Sequence, residues 1–175
     1  MNDSSSNHYE RAFEDWLIDN HVRYVPIDES KKTVFGRAKI KSFDFLVHPC
    51  CQGTGPHVVI AEVKGKLFKG TSLAGLKGLE CWILADDVDG MTAWQRIFGD
   101  GHLLLFVFVY CLVNPDVDLD GRAFHEYDGN RYVFLGVTLD DYRRFMKQRS
   151  PRWRTVTLGA ERFQECAVQL EEMLL

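Results

Sequence analysis

The sequence lacks the cysteine spacings that mark a disulfide framework or a zinc site. Its five cysteines are odd in number and follow no repeated interval, and the adjacent pair Cys50 and Cys51 does not have the spacing of zinc ligands. Free thiols in a reducing compartment explain these cysteines better. The motifs of zinc proteases, of serine hydrolases and of nucleotide-binding loops are also missing from suitable contexts. These absences argue against the corresponding enzyme classes.

Long apolar runs are missing as well. The longest, from Leu103 to Val113, is too short to cross a bilayer, and the polar start MNDSSSNHYE has neither the charged head nor the apolar body of a signal peptide. We therefore expect a cytoplasmic protein without membrane contact. The formal net charge is −4, so any nucleic-acid partner must be bound by local basic patches.

What the sequence does contain is typical of one packed α/β domain. Of its 175 residues, 46% are hydrophobic, which is enough for a sizeable core. No change in composition divides the chain, so we expect a single domain over 1–175. Within it, a core over 7–110 carries a C-terminal extension over 111–175 packed on it.

Periodicity predicts the element order of the core. Apolar residues recur at helical spacing from Asn7 to Asn20, with Asn7 as the cap. The segments RYVPIDE, KSFDFLVHP and HVVIAEVKG are typical of strands. A second helix capped by Asp86 or Asp87 follows, and the apolar run HLLLFVFVY predicts a strand covered on both faces.

The C-terminal part predicts a hairpin and helices. Asp128, Gly129 and Asn130 form the turn between the segments AFHEY and RYVFLGVT. Thr138 and Asp141 cap a short helix that continues to Met146. The extended piece QRSPRWRTVTL leads into one final helix with its apolar residues on one side.

Charged residues interrupt the strand VVIAEVKGK. Glu62 and Lys64 share one face of this strand, because alternate side chains point the same way. Folding the preceding turn about Gly53 places Asp44 opposite Glu62, whereas a slip of one residue would put them on opposite faces. Two carboxylates among apolar strand residues repel each other and are costly to desolvate. A divalent metal ion between them relieves this cost, and a structural ion pair through Lys64 is the alternative.

This pattern resembles the PD-(D/E)XK nuclease superfamily. The resemblance covers Asn7 to Tyr110 and implies a restriction-endonuclease-like αβββαβ core, in which helices flank a mixed sheet. Asp44 corresponds to the first acid of the motif, Glu62 to the second and Lys64 to the lysine. Phe43 stands where the motif has proline, which weakens the resemblance more than the chemistry.

The helix acid of the superfamily corresponds to either Glu10 or Glu14. These residues lie one turn apart on the same side of the predicted helix, and the sequence does not choose between them. The string HYERAFE, from His8 to Glu14, also resembles the signature of the HYExAFE family, a bacterial family for which no activity is implied.

The resemblance implies metal-dependent hydrolysis of nucleic-acid phosphodiesters. Asp44, Glu62 and the helix acid would hold Mg²⁺ or Mn²⁺, hard ions that prefer oxygen ligands. Lys64 would orient the attacking water or stabilise charge on the phosphorus. A domain of the same fold that binds nucleic acid or regulates without catalysis is the alternative. Many nucleases of this architecture are dimers, so a homodimer is a further expectation.

Two basic segments are candidates for binding the nucleic acid, DNA above all. One runs from Lys31 to Lys41, just before Asp44, and the other from Tyr142 to Leu158 contains no acidic residue. A tryptophan between two arginines could stack on an unpaired base. A solvated basic surface is the structural alternative, as is a polar helix face for Gln95. The candidate residues are Lys41, Gln95, Arg149, Arg152, Trp153 and Arg154.

Overall fold

The computed structural model describes residues 4–27, 41–50 and 58–175, with side chains from residue 8 onward. Helices and strands alternate through the first part of the chain, and short elements fill the second. The helices are α1 Ser4–Asp19, α2 Ala85–Phe98, α3 Leu139–Phe145, α4 Ala160–Cys166 and α5 Leu170–Leu174. The strands are β1 Arg23–Pro26, β2 Phe45–His48, β3 Val58–Phe68, β4 Ile83–Leu84, β5 His102–Leu112, β6 His125–Tyr127, β7 Asn130–Thr138, β8 Lys147–Ser150, β9 Thr155–Thr157 and β10 Val168–Gln169.

The main sheet is mixed, as predicted. Its strands follow the order β1-β2-β3-β5-β7-β10, and β6 also pairs with β7. The pairing of β3 with β5 is parallel, which is possible because α2 crosses over between them. The other pairs in this sheet are antiparallel. Residues beyond position 110 therefore extend the sheet that the first part of the chain begins.

Helices cover both faces of this sheet, because strands β3 and β5 carry apolar residues on both faces. On one face, Phe13 and Trp16 of α1 pack with Leu170 of α5 against alternate residues of the central strands. On the other face, helices α2, α3 and α4 pack against the remaining residues, with Phe108 among the fully buried side chains. Burial on both faces explains the nearly continuous apolar run of β5.

Several local predictions are confirmed. The hairpin of β6 and β7 turns at Asp128 and Gly129, both with positive φ, as a two-residue turn of this type requires. The hydroxyl of Thr138 accepts a hydrogen bond from the Asp141 N–H at 3.1 Å and caps α3. No helix in the described ranges is both long enough and apolar enough to span a membrane.

Two helix predictions are wrong in detail. Helix α1 begins at Ser4, so Asn7 lies inside the helix and is not its cap. The single final helix is divided into α4 and α5, because Val168 and Gln169 between them pair with β7. Gly136 of β7 makes this close approach possible, since a Cβ there would lie 2.8 Å from the Met173 sulfur.

The extended basic segment after α3 forms a hairpin of its own. Strands β8 and β9 pair antiparallel, and β9 also pairs with β4, which gives a second sheet of order β4-β9-β8. Since β4 leads directly into α2, this basic hairpin lies beside the start of α2. A backbone hydrogen bond from the Ala85 N–H to the Arg154 oxygen at 2.8 Å joins the two.

Candidate functional site

Asp44 lies opposite Glu62, in the register predicted for a turn about Gly53. Phe45 pairs with Ala61, and the Asp44 N–H continues the ladder to the Ala61 oxygen at 3.0 Å. The Asp44 side chain turns to β3, where its Oδ2 accepts a hydrogen bond from the Val63 N–H at 2.6 Å. Gly53 and the rest of the predicted turn, 51–57, lie outside the described residues.

Glu62 is 4% exposed, and its two oxygens have different surroundings. Oε1 accepts a hydrogen bond from the Lys64 ammonium at 2.8 Å and lies 3.5 Å from the Lys41 ammonium. Oε2 is buried and has no hydrogen-bond partner in the described part of the chain. A buried carboxylate oxygen without a hydrogen-bond partner lowers the stability of the folded protein, so Glu62 Oε2 is the atom of this cluster that most clearly lacks a ligand.

Asp87 completes the cluster and was not among the predicted site residues. It is 3% exposed, and its Oδ2 lies 2.8 Å from the Lys64 ammonium while Oδ1 bonds to Lys41. The sequence predicted Asp86 or Asp87 as the cap of α2, and this prediction is wrong because the cap residue is Leu84. Asp87 lies in the first turn, where its Oδ2 accepts a hydrogen bond from the Leu84 N–H at 3.2 Å. An acid in the first turn of α2 was visible in the sequence, but its approach to Lys64 was not.

Lys64 therefore bridges Glu62 and Asp87, whereas the predicted structural alternative joined Asp44 and Glu62. Lys41 is held beside the same two acids by α2. The Trp94 indole N–H donates to the Lys41 backbone oxygen at 2.8 Å, and a Cβ on Gly90 would lie 3.0 Å from the Lys41 Cβ. Two carboxylates and two ammonium groups thus form a balanced network, and Asp44 stands at its border.

The pKa values of Asp44 and Asp87 are shifted in opposite directions, although burial acts to raise both. Burial, followed by the charge of Glu62, raises the pKa of Asp44 from 3.8 to about 8, with a smaller contribution from Glu10. The hydrogen bond from Val63 and the charge of Lys64 oppose this rise only in part. Burial alone would raise the pKa of Asp87 too, but Lys64 and Lys41 outweigh it and hold that pKa below its usual value.

Lys64 keeps its charge in this environment. Burial by itself lowers the pKa of its ammonium, but the carboxylates of Glu62 and Asp87 outweigh that effect and raise the pKa. A group so held is a permanent cation at neutral pH. It is suited to stabilising negative charge and unsuited to accepting a proton.

The two candidate helix acids have different partners. Glu14 accepts a hydrogen bond from the Tyr24 hydroxyl at 2.9 Å, and this contact with Glu14 helps to raise the pKa of Tyr24, after burial, to about 12. Glu10 acts on Asp44 through its charge. The neighbouring Tyr9 packs its ring on Gly65 of β3, since a Cβ on Gly65 would lie 2.1 Å from that ring.

The carboxylate oxygens of this cluster suit a hard divalent cation in their chemistry. Among the described residues, Glu62 Oε2 lacks a hydrogen-bond partner, and the raised pKa of Asp44 indicates a carboxyl group whose negative charge is poorly compensated. In the described ranges, the ligand atoms of Asp15, Asp19 and His125 lie within 4.8 Å of one another, and Asp44, Glu62 and Glu10 form no such group.

The predicted nucleic-acid residues fall in two places. Arg149, Arg152, Trp153 and Arg154 lie on the exposed β8–β9 hairpin, where Trp153 is 66% exposed. Arg154 pairs with Asp86 at 3.0 Å, so the hairpin lies beside the turn that carries Asp87.

Gln95 is two turns farther along α2, where its side-chain N–H donates to Asp140 at 3.0 Å. This hydrogen bond joins α2 to α3. The basic positions 31–39 lie outside the described residues.

A solved structure resembles this chain over nearly all of its length. It is Hjc from Archaeoglobus fulgidus, a Holliday junction resolvase from an archaeal hyperthermophile, with a TM-score of 0.54 and 13% sequence identity. The match covers 97% of this chain and 99% of that one. At this identity the likeness establishes the fold, and it confirms the predicted restriction-endonuclease-like architecture.

No protein-family model matches the chain, and no curated protein matches it either. The resemblance of HYERAFE to the HYExAFE signature therefore stays a prediction.

Proposed function

We propose that the protein is a divalent-metal-dependent nuclease that hydrolyses nucleic-acid phosphodiester bonds. The observation that carries this proposal is the buried Oε2 of Glu62, which has no hydrogen-bond partner among the described residues and belongs to the residue opposite Asp44, whose pKa is raised to about 8. Such acids are kept at the border of an apolar core only at a cost in stability. A bound cation would offset this loss of stability, because it would neutralise the carboxylates.

Asp44, Glu62 and Glu10 are the residues that would hold Mg²⁺ or Mn²⁺. Glu10 is preferred to Glu14, because the charge of Glu10 acts on Asp44. When bound, such an ion polarises a phosphate oxygen and lowers the pKa of a water molecule. Lys64, held in position by Glu62 and Asp87, stabilises the negative charge that develops on the phosphate.

The β8–β9 hairpin is the proposed contact with the nucleic acid. Its arginines and the exposed Trp153 lie beside the start of α2, on the side where Asp87 meets Lys64. We assign a lesser part to Lys41, which is already paired with two acids, and to Gln95. DNA as the substrate, a homodimer and a cytoplasmic location complete the proposal.

The decisive test is cleavage of DNA by the purified protein with Mn²⁺ or Mg²⁺. Asp44→Asn, Glu62→Gln and Lys64→Met should each lower the rate at least about 100-fold, because the first two each weaken a ligand of the metal ion and the third removes the cation that stabilises the phosphate. Glu161→Gln, an exposed acid on α4, is the matched control and should cleave like wild type. Equal rates in all five proteins would remove the cluster from the mechanism.

A catalytically silent nucleic-acid-binding domain is the second candidate. It is favoured by one observation, that Lys64 is only 16% exposed in its side chain and is bound by two carboxylates. A silent domain would bind DNA equally well with and without Mn²⁺ and would never cleave it. The nuclease should instead cleave only when the metal is added.

A further inference from the structure

A groove of about 980 Å³ lies beside the second half of β3. Three lysines line it, together with one carboxylate and the ring of Trp82. Asp44, Glu62 and Lys64 are not among its lining residues, so it is separate from the carboxylate cluster. It begins at Lys66, which shares a face of β3 with Lys64 and lies about 6.6 Å farther along the strand.

Lys66 forms the floor of this groove and has an unusual environment for a lysine. It is 8% exposed, and its ammonium lies 3.3 Å from the centroid of the Trp82 ring. No carboxylate within the described ranges pairs with it, in contrast to Lys64 with its two. A buried ammonium held only by an aromatic face lacks the counterion that such a charge normally requires.

The electrostatics of Lys66 agree with a missing anion. Burial lowers the pKa of Lys66 to about 8, against the partial opposition of Glu80, and the nearby charges of Lys64 and Arg149 lower it further. An anion entering the groove would reverse this effect. Lys69 and Lys77 are exposed at the rim and add to the local positive field.

Glu80, the carboxylate that lines the groove, already has polar partners in Trp82 and Arg149. The Trp82 indole N–H donates to Glu80 at 3.1 Å, and the Arg149 guanidinium lies 4.0 Å from the other Glu80 oxygen. The Arg149 guanidinium also lies 5.1 Å from the centroid of the Trp82 ring. The groove is therefore continuous with the basic β8–β9 hairpin.

The edge of β3 has no strand partner at this point within the described residues. In the described ranges, β2 pairs with β3 only at Val59, Ile60 and Ala61, and beyond Val63 no other strand joins this side. A chain of regularly spaced anions could therefore follow the strand from Lys64 to the groove.

We propose that this groove binds the sugar–phosphate backbone of the nucleic acid on one side of the cleavage position. Lys66 contacts a phosphate from the floor, and Lys69 and Lys77 contact its neighbours from the rim. The proposal rests on the nuclease function proposed above and adds the path of the strand across the protein. Contacts of this kind carry no sequence information and act by charge.

The test is binding of a fluorescently labelled DNA oligonucleotide, followed by anisotropy in EDTA over a range of salt concentrations. Lys66→Met keeps the length of the side chain and removes its charge. We expect it to weaken binding about fivefold or more and to reduce the slope of log affinity against log salt by roughly 0.7–0.9. Arg96 is an exposed cation on α2 outside the groove. Arg96→Gln should therefore change the affinity and the salt slope less than Lys66→Met does.

A double variant at the rim, Lys69→Gln with Lys77→Gln, tests the same groove without touching a buried residue. It should reduce the slope by roughly 1.4–1.8, and it decides the matter if Lys66→Met fails to fold. Unchanged affinity and slope in the folded variants would overturn the groove while leaving the nuclease proposal intact. Wild-type protein that neither binds nor cleaves DNA would overturn both.

Discussion

Replacing Asp44 with asparagine should make the metal-free protein more stable at alkaline pH. The native pKa of Asp44 is about 8, compared with 3.8 for an ordinary aspartate. Between these values the folded protein retains a proton that the unfolded chain has lost, so the stability of the wild type falls as the pH rises. The loss begins near pH 4 and is complete above about pH 8.

Asparagine removes this dependence with little change in shape. Its side-chain oxygen can still accept the hydrogen bond from the Val63 N–H, and it carries no charge to repel Glu62. The whole shift in pKa corresponds to several kcal/mol. Rearrangement and water around a partly exposed group reduce this figure, so we expect a gain of about 1–3 kcal/mol at pH 9 relative to pH 4.

Urea denaturation in EDTA from pH 4 to pH 9 measures the effect. The free energy of unfolding of Asp44→Asn minus that of wild type should rise between pH 4 and pH 8 and then level off. A difference that stays constant across this range would refute the argument, since it would mean that Asp44 titrates like an exposed aspartate.

The same proton should compete with the metal ion. At pH 7 most molecules carry the proton on Asp44, so binding of Mn²⁺ must release it. The apparent affinity should therefore be about tenfold weaker at pH 7 than above pH 8, and roughly another tenfold weaker at pH 6. Calorimetry in buffers of different ionisation enthalpy would detect the released proton, and Asp44→Asn should release none.

Two further substitutions test the framework that positions the cluster. Asp87→Asn keeps the contact with the Leu84 N–H but leaves Lys64 and Lys41 short of a buried counterion, so urea denaturation should show a loss of about 3–5 kcal/mol. The exposed neighbour change Asp86→Asn should cost less than about 1 kcal/mol. Gly65→Ala drives a methyl group into the Tyr9 ring and should cost about 1–3 kcal/mol, whereas Gly101→Ala, with nothing within 4 Å, should be nearly neutral. Equal losses within either pair would contradict the contacts described.

Local patterns were sufficient to predict the sheet and the acid pair within it. The apolar residues along Phe45–His48 and Val58–Phe68 identify two strands, and folding the chain about Gly53 predicts the antiparallel register in which Phe45 pairs with Ala61. That register places Asp44 opposite Glu62. Strand alternation likewise puts Glu62 and Lys64 on one face.

Local sequence patterns could not predict which residues from distant segments come into contact. Asp87 meets Lys64 only because α2 folds back over the face of β3, and the angle of that return depends on packing along the whole helix. The division of the final helix has the same origin. Val168 and Gln169 leave helical geometry to pair with β7, and tertiary pairing of this kind overrides local helix propensity.

The charge balance of the cluster argues for a cation at Asp44. Lys64 and Lys41 are matched by Glu62 and Asp87, so among the described residues Asp44 is the member of the cluster that has no ion-pair partner. A proton meets this need at neutral pH, as the raised pKa shows. A proton does nothing for Glu62 Oε2, however, and a divalent ion shared with Asp44 would satisfy both groups at once. A domain that only binds nucleic acid would not require an aspartate at position 44. An asparagine there would keep the hydrogen bond from the Val63 N–H without the charge repulsion between Asp44 and Glu62.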